Sequence, residues 1–137
     1  MFNSCTSLSS LDVSGWDMSA CTNTASMFQN CTSLSSLDVS GWNMGACTNM
    51  TNMFYSCTYL STLLGGSQDK PSALRGAKVA LYVGSSPLDK ASLLAIINGL
   101  ADLTGKTQQT LTLGGSNKAK LTTGEIATAT NKNWIIA

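Results

Sequence analysis

The chain has 137 residues, enough for one domain or one piece of a longer array, and only 11% of them are charged, well under the usual quarter. Ser, Thr and Asn carry the polarity instead, and a formal charge of +1 gives no reason to expect nucleic acid or an anionic membrane surface as partner. No run of about 18 apolar residues is present, which excludes an ordinary membrane-spanning helix, and MFNSCTSL lacks the basic start and apolar core of a secretion signal.

Charge is unevenly placed. Residues 1–68 carry Asp12, Asp17 and Asp38 and no base, whereas residues 69–137 carry four acids and all eight bases. Two regions with different surfaces are joined.

The first region repeats. A shift of 26 residues aligns Met1-Phe2 with Met27-Phe28 and Met53-Phe54, and brings Cys5, Cys31 and Cys57 into register. CTSLSSLDVSGW occurs letter for letter at Cys5–Trp16 and Cys31–Trp42, and 19 of 26 positions are identical between the first two units. The third unit keeps 8 of its first 11 residues and then diverges. A period of this length marks a stacked array, because the apolar residues of one unit cannot offset the cost of ordering its backbone without a neighbour.

Within a unit, Leu8, Leu11, Val13 and Trp16 have the spacing of a leucine-rich-repeat strand. Leu11 and Val13 then share one face, and Ser10, Asp12 and Ser14 share the other. Ser14-Gly15 leaves the strand as a turn, and Cys21–Asn30, too rich in Thr, Asn and Ser for a helix, returns as turns with Met27 and Phe28 folded inward. Leu60–Leu64 is the third strand of the series, and Gly65–Pro71 breaks the pattern.

Lys78–Val83 then reads as a strand. Ser86, Pro87 and Asp89 announce a helix over about Leu88–Leu103, with Leu93, Ile96, Ile97 and Leu100 on one face and Ser86 as cap. Thr110–Leu113 is the next strand, ended by Gly114-Gly115. Thr122 and Glu125 have capping-box form and open a short helix through Ala129. Asn133, tolerant of the left-handed conformation, turns the chain into a last strand, Trp134–Ile136. The expectation is an α/β fold: a leucine-rich-repeat-type solenoid of about two and a half 26-residue coils with a parallel sheet over residues 1–64, closed by an αβ region over residues 65–137. The first coil has no capping unit before it, so it is expected to be cut from a longer array or covered by another chain.

Candidate chemistry is sparse. The five cysteines fall in two columns, Cys5/Cys31/Cys57 and Cys21/Cys47. Stacked coils about 4.8 Å apart would admit a disulfide, but side chains in one column point the same way and five is odd, so a ladder of buried thiols is the simpler reading. Paired cysteine spacing for zinc is missing, and the absence of histidine removes the common Ser/His and Cys/His nucleophile pairs. No metal, no cofactor and no catalytic residue is expected. Asp12 and Asp38 could pair as glycosidase carboxylates only on an open sheet face without an evident pocket, so repetition explains them better. Trp16 and Trp42 could stack on a sugar; a core role, with the indole N–H meeting a turn carbonyl, is favoured. The surface left for a ligand is the outward strand face, Ser10, Asp12 and Ser14 in one coil and Ser36, Asp38 and Ser40 in the next, with a merely solvated face as the competing reading.

The run MFxxCTSLSSLDVSGW, followed by DM or NM, then ACTN and another MF, resembles the BspA-like leucine-rich repeats of bacterial surface proteins over residues 1–63. The tail from LDKASLLAIINGL to NWIIA is similar to the C-terminal end that follows such repeats in proteins of gut and oral Bacteroides relatives. The resemblance implies the C-terminal fragment of a cell-surface or extracellular solenoid, not an enzyme, that attaches to host proteins, host cells or other bacteria. The alternative is a structural subunit that self-associates end to end through its first coil.

Overall fold

The computed structural model describes residues 1–64 and 72–137; the expected break at 65–71, with its Gly65-Gly66 turn, lies outside the described residues. Among the described residues the fold is α/β, with a three-stranded parallel sheet and three helices. In chain order the elements are β1 (Leu81–Tyr82), α1 (Lys90–Gly99), β2 (Gln109–Thr112), α2 (Gly115–Lys118), α3 (Thr123–Thr130) and β3 (Trp134–Ile136). The strand order β1-β2-β3 follows the sequence, with Leu81 opposite Leu111 and Leu111 opposite Ile136. Among the described residues no helix is long and apolar enough to cross a membrane.

Residues 1–64 form no continuous strand, contrary to expectation, but the 26-residue period is physically expressed. Isolated parallel bridges join Ser10 to Ser36, Ser36 to Thr62, and Asn23 to Asn49. Phe2 N donates to Met27 O (2.7 Å), and one period later Phe28 N donates to Met53 O (3.0 Å). Each unit rounds its corners with four-residue turns at equivalent places: Leu8 N to Cys5 O, Leu34 N to Cys31 O, and Leu60 N to Cys57 O. Ser4, Asn30 and Ser56 sit in the left-handed region (φ 61°, 60° and 59°), where a short polar side chain is tolerated better than a branched one.

The strands stay short because side chains capture the amides that would extend the ladder. Asp12 Oδ1 accepts from Ser14 N (3.0 Å), and Asp38 Oδ1 accepts from Ser40 N (3.1 Å). Asp17 and Asn43 do the same for Ser19 and Gly45, as do Asn23 and Asn49 for Ala25 and Thr51. An Asx turn bends the chain at each site and offers its amide a partner other than the neighbouring unit.

The core runs as columns through the units. Val13, Phe28, Leu34, Leu37, Val39, Trp42 and Phe54 are buried. Phe2, Phe28 and Phe54 stack at 5.6 and 5.9 Å with rings nearly parallel, and Trp16 lies 6.1 Å from Trp42 at 8°. Met27 and Phe28 fold inward as the sequence indicates. The five cysteines are free; Cys31, Cys47 and Cys57 are buried as the ladder reading has them, whereas Cys5 and Cys21 are half-buried. Cys31 Sγ donates to Phe2 O and Cys57 Sγ to Phe28 O, both at 3.0 Å. Burial pushes the Cys57 thiol up to about 12, which keeps it protonated at neutral pH.

In the second region the elements form where expected, with shifted bounds. β1 is two residues rather than six, because the Ala80 amide goes to Gln109 Oε1 (3.1 Å) and not to a neighbouring strand. α1 begins four residues after Ser86. Asp89 caps it instead, accepting from Ser92 N (2.7 Å), while Ser86 is buried and its hydroxyl makes no hydrogen bond among the described residues. The helix ends at Gly99, where the carbonyl accepts from Gly76 N (2.7 Å) and where a Cβ would collide with the Ala73 carbonyl. Lys132, from the turn before β3, sends Nζ to the carbonyls of Ile97, Asn98 and Leu100 at 3.1–3.2 Å, a cation at the negative end of α1. Gly114-Gly115 is no simple turn. Gly114, at φ 77°, precedes the short helix α2. The capping box of α3 forms, with Glu125 N donating to Thr122 Oγ1 (3.2 Å) and Thr122 N to Glu125 Oε2 (2.8 Å). Asn133 adopts φ 66° as expected.

Candidate functional site

The alternation expected along each unit holds. Val13, Leu37 and Val39 point inward and Leu11 is half-buried, while Ser10, Asp12, Ser14 and Ser36 are exposed and Asp38 and Ser40 half-buried. The bridges Ser10–Ser36 and Ser36–Thr62 place equivalent residues of successive units side by side.

That face is not featureless, as the sequence suggests, but concave. Ser10, Asp12, Ser36 and Asp38 line a hollow of about 340 Å3 together with Leu11, Leu37 and Leu64. Four of the six expected residues therefore meet in one place. Ser14 and Ser40 do not line it, because their hydroxyls turn back to the acids, at 2.6 Å to Asp12 Oδ1 and 2.5 Å to Asp38 Oδ1. Sequence reasoning missed the leucines of the floor. It also missed that Asp-x-Ser is an Asx-turn signature, legible at Asp12-Val13-Ser14 and Asp38-Val39-Ser40.

The electrostatics follow from those bonds. The hydroxyl and then the amide of Ser14 hold the Asp12 carboxyl below the ordinary carboxylate range, so it is ionised at neutral pH. In each acid Oδ1 is occupied by the turn, and among the described residues Oδ2 accepts no hydrogen bond. Residues 1–64 hold no Lys or Arg. An ion pair, Lys90 Nζ to Glu125 Oε1 at 3.0 Å, lies between α1 and α3. The hollow thus offers two carboxylate oxygens beside the half-buried Leu11 and Leu64, while Leu37 lines it from the core side. It can accept hydrogen bonds from a cationic or amide-bearing group while packing against that group's aliphatic stem.

Known proteins add one likeness. Residues 1–67 match a family model described as "Mycoplasma protein of unknown function, DUF285". The match spans the repeated units and the hollow, and its description states no activity and no ligand. No curated protein and no solved structure matches the chain.

Proposed function

We propose that the chain is a non-enzymatic binding module of a leucine-rich-repeat-type, BspA-like solenoid, displayed at a cell surface or outside the cell, that attaches to a protein on a host or bacterial partner. The observation that carries this reading is the hollow itself. It sets Asp12 and Asp38 one period apart, over Leu11, Leu37 and Leu64, on a face without a base of its own. A Lys or Arg side chain of the partner meets both requirements, its charge at the carboxylates and its stem on the half-buried Leu11 and Leu64.

The test replaces charge while keeping the turns. Asn accepts the same Asx-turn bonds as Asp, so the Asp12→Asn/Asp38→Asn double variant should keep its unfolding midpoint. Its adhesion to cultured epithelial cells and to bacterial cells should fall about fivefold to tenfold, and wild-type adhesion should weaken as salt is raised. Unchanged adhesion by a folded double variant rejects the site.

A second reading is favoured by a different observation. Phe2, Leu8, Leu11, Trp16 and Cys21 are only partly buried, whereas Phe28, Leu34, Leu37, Trp42 and Cys47, one period on, are fully covered, and Met1 is 85% exposed. An apolar end face of this kind supports end-to-end self-association. Light scattering across a concentration series checks it: mass should rise with concentration and return to monomer in a Phe2→Ser/Trp16→Ser variant, and a constant monomer mass removes the reading.

A further inference from the structure

The chain has three tyrosines, Tyr55, Tyr59 and Tyr82, and the repeat explains none of them. Tyr55 stands where the earlier units have Asn3 and Gln29, and Tyr59 stands where they have Ser7 and Ser33. The buried columns tolerate this drift because both positions face outward. Tyr55 is 42% exposed and Tyr59 70%. Tyr55 tilts against Tyr82 of β1, with ring centroids 5.6 Å apart at 40°.

Tyr82 belongs to the outer face of the sheet. Leu81 and Leu111 are buried and paired, so Tyr82 and its partner Thr112 alternate to the opposite side, as does Thr110. There Tyr82, Thr110 and Thr112 line a hollow of about 150 Å3 with Thr51 and Asn52 of the neighbouring turn. Among the described residues the side chains of Thr51, Asn52, Thr110 and Thr112 make no hydrogen bond, so their hydroxyls and amide are available. Tyr82 Oη shares a hydrogen bond with Ser85 Oγ (3.1 Å), and Ser85 lines a second hollow, about 200 Å3, with Thr58 and Ser116. Tyr59 follows Thr58 in the chain.

Neither hollow is lined by a charged residue. Two cations nearby are engaged: Lys118 Nζ donates to Ile136 O (2.8 Å) and Lys120 Nζ to Leu88 O (2.6 Å) and Asn117 Oδ1 (3.3 Å). The nearby acid, Asp89, caps α1. The lining therefore offers no charged group to a phosphate, a carboxylate or an ammonium group. It offers tilted aromatic faces beside a field of free hydroxyls.

We propose that the Tyr55–Tyr82 pair and the two neutral hollows joined by the Tyr82–Ser85 hydrogen bond bind a neutral saccharide of two or more rings. A pyranose presents C–H bonds on its flat face, which pack against the negative face of an aromatic ring, and hydroxyls at its edge, which meet Thr and Asn. Each hollow is smaller than the roughly 300 Å3 that encloses a drug-sized ligand, which suits sugar rings lying on an open platform. The site is separate from the Asp12/Asp38 hollow and does not rest on it.

The experiment adds cellobiose, maltose, lactose and chitobiose in turn to the 15N-labelled chain and follows amide shifts. At least one disaccharide should give saturable shifts at residues 51–52, 80–82 and 110–112. Tyr55→Ala and Thr112→Val, both outward-facing changes, should each weaken that binding, Tyr55→Ala by about tenfold. Asp12→Asn/Asp38→Asn should leave it intact. The proposal is overturned if no disaccharide gives saturable shifts, if the shifts map elsewhere, or if Tyr55→Ala binds as tightly as the parent. It is also overturned if a hexaproline peptide binds the tyrosines and the disaccharides do not.

Discussion

Trp42→Ala is expected to lower the free energy of unfolding by about 3–5 kcal/mol, and Trp16→Ala, the same letter of the same motif, by no more than about half of that. The difference is one of place in the stack. Trp42 is fully buried between Trp16, at 6.1 Å, and Phe28, at 6.4 Å, and its Nε1–H donates to the Val13 carbonyl at 3.1 Å within the core. Truncation removes the ring, leaves a cavity that neighbours held by the inter-unit hydrogen bonds cannot close, and strips Val13 O of that donor. Trp16 also has two ring neighbours, Phe2 at 5.9 Å and Trp42 at 6.1 Å, but it is only partly buried, so part of its surface never left water. Urea denaturation of both variants measures the two losses. Equal losses would mean that the columns do not share their burial along the stack in the way the rings indicate.

That contrast also shows what the sequence could reveal. The period, the inward Met27-Phe28 pair, the thiol columns and the indole bond to a turn carbonyl follow from apolar spacing, because burial selects for size and polarity at fixed intervals. The capping box at Thr122 and Glu125 and the left-handed Asn133 follow from local chemistry. What escaped was hydrogen bonding that competes with regular structure. Asp12, Asp17, Asn23, Asp38, Asn43 and Asn49 read as exposed polar residues, yet each holds the amide two residues on, and Asp12 and Asp38 thereby cut the expected strands short. Ser86 looked the better cap for α1 on its position before Pro87, but Asp89 fills the role and Ser86 is buried. Lys132 caps the same helix from 33 positions beyond its last residue, Gly99, a relation no local pattern carries. At the hollow, alternation placed Ser10, Asp12, Ser36 and Asp38 on the outward face. It could not show that Ser14 and Ser40 turn away, since that depends on hydroxyl rotamers.

The same blindness to long-range polar contacts hides Asn117, where a second large effect is expected. Asn117 is 2% exposed on the short helix α2, and its Nδ2 donates to Ser86 O (2.7 Å), Leu113 O (3.1 Å) and Val83 O (3.4 Å). One amide thus ties the end of β2 to the loop that runs from β1 to α1. The three bonds are not equally replaceable. Val83 O also accepts from Ser86 N and Ser86 O from Leu88 N, so the loss falls most heavily on Leu113 O. Asn117→Ala should therefore cost about 2–3 kcal/mol, near the penalty for one buried unpaired carbonyl plus a small cavity. Asn117→Asp should cost more despite its matching shape, because a carboxylate oxygen then faces three carbonyls, and Lys120 Nζ, 3.3 Å from Oδ1, reaches only the other oxygen. Burial and those carbonyls raise the pKa of the new carboxyl in the folded state. The extra loss should therefore be full above that raised value and shrink as pH falls through it toward the ordinary Asp value. Urea unfolding at neutral and acid pH gives the ranking. If Asn117→Asp is as stable as the parent at neutral pH, the amide is not the tie between sheet and loop.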